Sequence, residues 1–187
     1  KDIRLANHLN EKFGDRIKVI NEDMLKFSYS EYSDKKLIIF GNLPYNISTQ
    51  ILTKWIKIKN LENFCKKFIL MFQKEVADRI IAETNSKSYG RLSIISKWKM
   101  KVEKIMDIEP NSFKPSPKIR SSLLKFTPQK NFYNFRDPKN LEHITNIFFS
   151  QRRKMIKKPL KFLFENFDDI SKKLDINLNL RPQNLDN

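Results

Sequence analysis

The sequence has a single cysteine, Cys65, and two histidines, His8 and His143, among 187 residues. One cysteine excludes an internal disulfide and a cysteine-based zinc site. It suits a reducing compartment, the cytoplasm, where Cys65 reads as a small buried residue rather than a nucleophile. Two isolated histidines make no metal cluster, so no metal is expected. Glycine occurs three times, as Gly14, Gly41 and Gly90, and the chain holds no glycine-rich phosphate loop. No apolar run of about 18 residues occurs, so neither a transmembrane helix nor a membrane partner is expected. The opening "KDIRLANHLNEKFGD" lacks both the apolar centre of a secretory signal and an initiator methionine. It reads as the middle of a domain, with an incompletely recorded N-terminus.

Acidic residues are scarce as well. Asp and Glu number 21 against 37 Lys and Arg, which gives a net charge of +16. Such an excess points to a polyanionic partner. An A/T-rich codon bias enriches Lys and Asn, but it does not account for so few acids. Apolar residues make up 40% of the chain and aromatics 12%, with 15 phenylalanines, which is enough to rule out wholesale disorder. Length and composition suit one ordinary domain with a small appendage.

Periodicity supplies the elements. Ile3, Leu5, Leu9 and Phe13 recur at helical spacing, and Gly14 stands where a C-cap ends that helix. The alternating "RIKVINED" (16–23) predicts a strand with an acidic carboxyl end. "KLIIF" (36–40) is a continuous apolar strand, expected to be buried on both faces. "STQILTKWIKI" (48–58) predicts a helix with Ser48 as N-cap and Ile51, Leu52, Trp55 and Ile56 on one face. "KKFILMFQ" (66–73) is a second buried strand, followed by the amphipathic helix "KEVADRIIAE". This alternation predicts a parallel α/β sheet with crossover helices. After Gly90, "RLSIISKW" predicts a helix. "KVEKIMDI" and "SSLLKFTP" predict two strands flanking a proline-marked loop (109–120), an antiparallel edge. Beyond "RDPKN" the chain is helical and very basic. The boundary is set near Asp137, giving a core over 1–137 and a helical domain over 138–187.

Ligands of an open α/β sheet sit beyond the carboxyl ends of its strands. Two such ends are polar here: Glu22-Asp23 and Asn42-Leu43-Pro44-Tyr45. A carboxylate there accepts from an adenine amino group or ribose hydroxyls, although a turn aspartate is an equal alternative for Asp23. Asn42 offers a carbonyl, and the backbone C=O groups beside Pro44 escape regular helical pairing. Two rigid acceptors grip both hydrogens of one exocyclic amine, and Tyr45 offers a flat face for a base. A strand-ending turn with a core tyrosine is the plainer alternative.

Taken together, these blocks resemble the class I, S-adenosylmethionine-dependent RNA adenine N6-methyltransferases, specifically the KsgA-type dimethylases of small-subunit ribosomal RNA. The likeness runs through "GNLPYNIS", "FILMFQKEVADRI", "NSKSYGRLSI", "PNSFKPSPKIRSSLLKF" and the basic "FFSQRRKMIKKPL", in order and at family-like spacing. The resemblance implies a Rossmann-like methyltransferase core, with a mostly parallel sheet and an antiparallel edge hairpin, plus a small all-helical domain. It implies that Asn42 and the carbonyl of Leu43 or Pro44 hold the target N6, with Tyr45 stacked on the adenine and Phe113 closing over it. Asp23, with its neighbour Met24, and Asn42 would line the S-adenosylmethionine site. Arg152, Arg153, Lys154, Lys157 and Lys158, with Lys161, lie on or around one helix whose packing face is Phe148, Phe149, Ile156 and Leu160. They would contact RNA phosphates; a solvated helix face is the alternative.

The implied substrate is small-subunit rRNA within the immature 30S particle, and a cytoplasmic monomer is expected. The sequence departs from the family at Arg120, where Asp is usual, and at Ser116, where Pro is usual. The family's glycine-rich cofactor loop has no counterpart in this chain. Two rival readings are an Erm-type large-subunit enzyme and a non-catalytic RNA-binding factor on the same fold.

Overall fold

The computed structural model describes residues 2–29, 32 and 35–185. Its centre is a four-stranded sheet of β1 (Leu37–Asn42), β2 (Cys65–Gln73), β3 (Met100–Ile108) and β4 (Ser121–Pro128), in the order β1-β2-β4-β3. β1 and β2 run parallel, while β4 is antiparallel to both β2 and β3. The expected hairpin therefore forms, and its second strand is the inner one.

Helices fill the connections. α1 (Ile3–Phe13) is capped by the Asp2 carboxylate, which accepts from Leu5 N–H at 3.1 Å. Gly14 ends it at φ 52°, a left-handed value that glycine adopts without a Cβ penalty. α2 (Ser48–Ile56) and the one-turn α3 (Leu61–Phe64) link β1 to β2. α4 (Lys74–Ile81) and α5 (Arg91–Lys99) link β2 to β3. The main core joins Ile51, Leu52 and Trp55 of α2 to Phe68, Leu70 and Phe72 of β2 and Phe126 of β4. Phe68, Leu70 and Phe72 are wholly buried, and each such side chain contributes about 1.5–3 kcal/mol of hydrophobic stabilisation.

A second cluster of Phe148, Ile156 and Leu160 lies among α6 (Pro138–Ser150), α7 (Lys157–Leu163) and α8 (Phe167–Lys173). Asp137 caps α6, its carboxylate accepting from Lys139 N–H at 2.8 Å. α6 packs on α5, Arg91 donates to Asn146 Oδ1 at 2.9 Å, and Lys57 pairs with Glu142 at 3.0 Å. Among the described residues, no helix is long and apolar enough to cross a membrane.

Four expectations are corrected. Residues 16–23 form no strand: 18–21 are irregular, because alternation signals an extended segment but a strand exists only by pairing its backbone. "KLIIF" is covered on one face only. Leu37 and Ile39 meet the core, whereas Ile38 and Phe40 are 44% and 73% exposed. Ser48 is not an accepting cap; it is the first residue of α2, and its hydroxyl donates to the Tyr45 carbonyl at 3.1 Å. The basic stretch is not one helix. α6 stops at Ser150 and α7 restarts at Lys157, since Pro159 inside a continuous helix would clash with the carbonyl of Met155. In the first turn of α7 its missing N–H costs nothing.

Candidate active site

β1 carries the chain to Asn42, and the residue before it is squeezed. A Cβ on Gly41 would lie 2.8 Å from Leu70 Cδ2 and 3.1 Å from Leu43 Cδ2. Beyond the strand, Leu43 turns inward and is buried, while Pro44 and Asn42 face solvent. The Pro44 carbonyl accepts from Ile47 N–H at 3.1 Å, and the Tyr45 carbonyl accepts from Ser48, so two bonds brace the turn. The Asn42 carboxamide makes no hydrogen bond to another described residue, and it remains available to a ligand.

A cleft of about 320 Å³ opens at this point. Asn42, Leu43, Pro44 and Tyr45 line it together with Phe113, Pro115 and Pro117 of the 109–120 loop and Met71, the ladder partner of Asn42. The structure thus brings together all five residues expected to act on the base. The Tyr45 hydroxyl reaches Ser121 Oγ at 2.7 Å, at the buried start of β4. Across the same strand start, Ser122 donates to Asp107 Oδ1 at 2.6 Å. That bond, backed by the Lys74 and Lys104 ammoniums, holds the Asp107 carboxyl at about 2. The loop is closed at its base by the Arg120–Glu109 ion pair at 2.9 Å, and Ser116 donates to the Pro110 carbonyl at 2.8 Å. Both departures from the family pattern therefore hold the loop in shape.

The basic residues divide. Arg153, Lys154, Lys157, Lys158, Lys161 and Arg181 are exposed and surround a surface basin of about 640 Å³. None of the six forms an ion pair among the described residues. Arg152 differs from them in being half-buried and hydrogen-bonded, although it lines a surface groove with Arg153, Lys154 and Lys158. Its guanidinium donates to the Ser86 carbonyl at 3.1 Å and to Gln183 Oε1 at 3.3 Å. Two further bonds complete this clasp: Asn85 N–H to the Gln183 carbonyl at 2.9 Å and Asn184 Nδ2 to Asn85 Oδ1 at 2.7 Å. Arg152 therefore ties the helical part to the 84–90 segment with two of its five N–H donors, and the other three are left for a phosphate. A further cavity of about 580 Å³, lined by Trp98, Phe132, Tyr133, Phe135 and Phe148, contains none of the residues expected to touch base, cofactor or phosphate.

The family model described as ribosomal RNA adenine dimethylase matches residues 1–185. This chain belongs to the ribosomal RNA adenine dimethylase family. It is 60% identical over 186 residues to ribosomal RNA small subunit methyltransferase A of Pelagibacter ubique, covering 100% of this chain and 71% of that protein. It is 42% identical over 190 residues to the protein of the same name in Ehrlichia ruminantium, covering 99% of this chain and 71% of that one. A dimethyladenosine transferase from Plasmodium falciparum superposes with a TM-score of 0.80 at 26% identity, covering 99% of this chain and 75% of the other. The 23S rRNA methyltransferase ErmE shares the fold, at a TM-score of 0.63 and 19% identity, covering 98% and 75%. The fold is the Rossmann-like methyltransferase fold.

Within this dimethylase family member, one residue expected at the cofactor, Asn42, lines the cleft, whereas Asp23 and Met24 lie outside its lining. Asp23 shapes a turn: its Oδ1 accepts from Leu25 N–H at 2.9 Å, and its carbonyl accepts from Lys26 and Phe27 N–H. Met24 is 39% exposed, and its sulfur accepts from the Tyr29 hydroxyl at 3.1 Å. The turn is anchored to α2 by Lys54 Nζ, which donates to the Leu25 carbonyl at 2.6 Å. The turn reading and the cofactor reading of Asp23 are compatible, since only one carboxylate oxygen serves the turn. Sequence reasoning missed Ser121, Met71 and Arg181. For Ser121 a signal existed: a pair of small polar residues opening an apolar strand.

Proposed function

We propose that this chain carries the base-gripping part of a small-subunit ribosomal RNA adenine N6,N6-dimethyltransferase. It would methylate two adjacent adenines in a hairpin loop near the 3′ end of 16S rRNA, in ribosome biogenesis, with S-adenosylmethionine as donor. The observation that carries this reading is the single cleft in which Asn42 through Tyr45 face Phe113. An adenine must leave its stack to be modified. Two aromatic walls and a row of acceptors receive such a base.

Asn42 Oδ1 and the Leu43 carbonyl accept the two N6 hydrogens. We assign Leu43 over Pro44 because the Pro44 carbonyl already serves Ile47. The adenine amine is a weak nucleophile because its lone pair is delocalised into the ring. Two acceptors favour a more tetrahedral nitrogen and fix its direction of attack. Tyr45 stacks on the base and Phe113 closes over it. The donor set fits the cofactor: an exposed Asn42 carboxamide at the strand end, and Asp23 with a carboxylate oxygen left beside Met24. When bound, S-adenosylmethionine supplies an electrophilic methyl group on a sulfonium centre.

The six exposed cations around α7 would hold phosphates of the same RNA, without sequence choice. We keep the domain division at Asp137, the cap of α6. We also propose that it acts as a monomer, in the cytoplasm where small subunits are assembled. The test is incubation of the full-length protein with methyl-labelled cofactor and undermethylated 30S particles. Label recovered as dimethyladenosine in 16S rRNA is the expected result, and its absence refutes the reading.

A further inference from the structure

Tyr45 stands on a loop, yet a stacking ring has to hold one tilt. The bonds from Ile47 and Ser48 fix its backbone but leave the ring free to turn about its side-chain torsions. What restrains the ring is the 2.7 Å bond between its hydroxyl and Ser121 Oγ. Ser121 is fully buried and paired on both sides, with Gln73 of β2 and Ile108 of β3. It is therefore among the most rigid positions near the cleft. It also directly follows Arg120, whose side chain closes the Phe113 loop on Glu109 and whose carbonyl accepts from Lys74 N–H at 3.0 Å. One point at the start of β4 thus fixes both aromatic walls.

We propose that Ser121 is a positioning residue: its buried hydroxyl holds the Tyr45 ring in register with the Phe113 loop, so that an adenine enters a slot of set width. This inference rests on the proposed methyl transfer to adenine. A bond whose job is geometric has a recognisable signature. Its loss lowers turnover while leaving RNA affinity nearly intact, because the phosphate contacts made elsewhere are untouched.

The test uses the full-length protein as wild type, Ser121→Ala, Ser121→Thr, Tyr45→Phe and the Ser121→Ala/Tyr45→Phe double variant. Single-turnover methylation of undermethylated 30S particles should fall roughly five- to tenfold in Ser121→Ala and in Tyr45→Phe, the size expected for one hydrogen bond. RNA affinity should stay within about twofold, and the double variant should be no slower than either single one, because both remove the same bond. Ser121→Thr keeps the hydroxyl and should recover most of the rate. Tyr45→Phe leaves the buried strand untouched, so it decides the matter if Ser121→Ala folds poorly.

A second measurement does not depend on methyl transfer. An RNA hairpin carrying 2-aminopurine at the target position should be quenched more strongly by wild type than by either single variant. Unchanged rates, multiplicative losses in the double variant, or equal quenching by all three proteins overturns the proposal. A wild-type protein that methylates no adenine refutes the underlying reading instead, so the two failures are distinguishable.

Discussion

Arg152 and Arg153 are neighbours with opposite surroundings, and alanine at each should separate stability from RNA affinity. Arg152 is half-buried and gives two of its five N–H donors to the Ser86 carbonyl and Gln183 Oε1. Hydrogen bonds from a charged group contribute about 1.5–3 kcal/mol each when well made. Here one contact is long and water reaches the group, so the two together should be worth about 2 kcal/mol. At about 2–4 °C per kcal/mol for a chain of this size, Arg152→Ala should lower Tm by about 4–8 °C. Arg153 is exposed and forms no ion pair among the described residues, so Arg153→Ala should leave Tm within about 1 °C. It should instead weaken RNA binding and reduce the slope of log K against log salt by about 0.7–0.9, the loss of one phosphate contact. Thermal unfolding followed by circular dichroism and RNA binding across a salt series read the two effects separately. If Arg152→Ala kept its Tm and lost affinity as Arg153→Ala does, the clasp would not exist in solution.

Gly41→Ala should cost about 1 kcal/mol, because its methyl group would displace the side-chain ends of Leu70 and Leu43; a denaturant midpoint measures this, and an unchanged value contradicts the close approach. The Asp107 carboxyl should titrate at about 2 in the native protein and move upward in Ser122→Ala, because the Ser122 hydroxyl is the largest cause of the depression. Since the folded value is lowered, the stabilisation from Asp107 is present above the ordinary carboxylate value near 3.9 and is lost as pH falls towards about 2. A carboxyl NMR titration with an ordinary midpoint would refute this. Burial pushes the Cys65 thiol up to about 12. It should therefore resist a thiol reagent at pH 8 until urea unfolds the chain, and fast labelling of native protein would count against its position in the core.

The cleft was legible in the sequence because its parts are local. Asn42 to Tyr45 are contiguous, and Phe113 sits in a loop marked by its own prolines. What escaped depends on partners far along the chain or on direction. Ser121 meets Tyr45 across 76 positions, and nothing in either segment names the other. Arg152 and Arg153 are chemically identical, and only the turn after α6 decides which one faces inward. The strand expected over 16–23 failed because alternation reports which face is apolar, not whether a neighbour exists to accept the ladder. The break at Gln151–Ile156 was readable from Pro159, but the basic, apolar-rich run around it spoke for one continuous helix. The outer face of β1 shows the same lesson: an apolar run reports affinity for burial, while coverage comes from elsewhere.

α2 joins two parts of the proposed site. Its first residue, Ser48, holds the Tyr45 carbonyl, and Lys54 in its last turn holds the carbonyl of Leu25, two residues beyond Asp23. Under the proposed reading, one short helix connects the pocket for the donor to the grip on the acceptor. Any ligand that stills one end of such a rod lowers the entropy left for the second ligand to remove at the other. Donor and adenine should then bind with positive cooperativity, and by reciprocity each should tighten the other by the same factor. A helix whose sequence looks like simple core packing would in that way set the thermodynamic linkage between the two substrates.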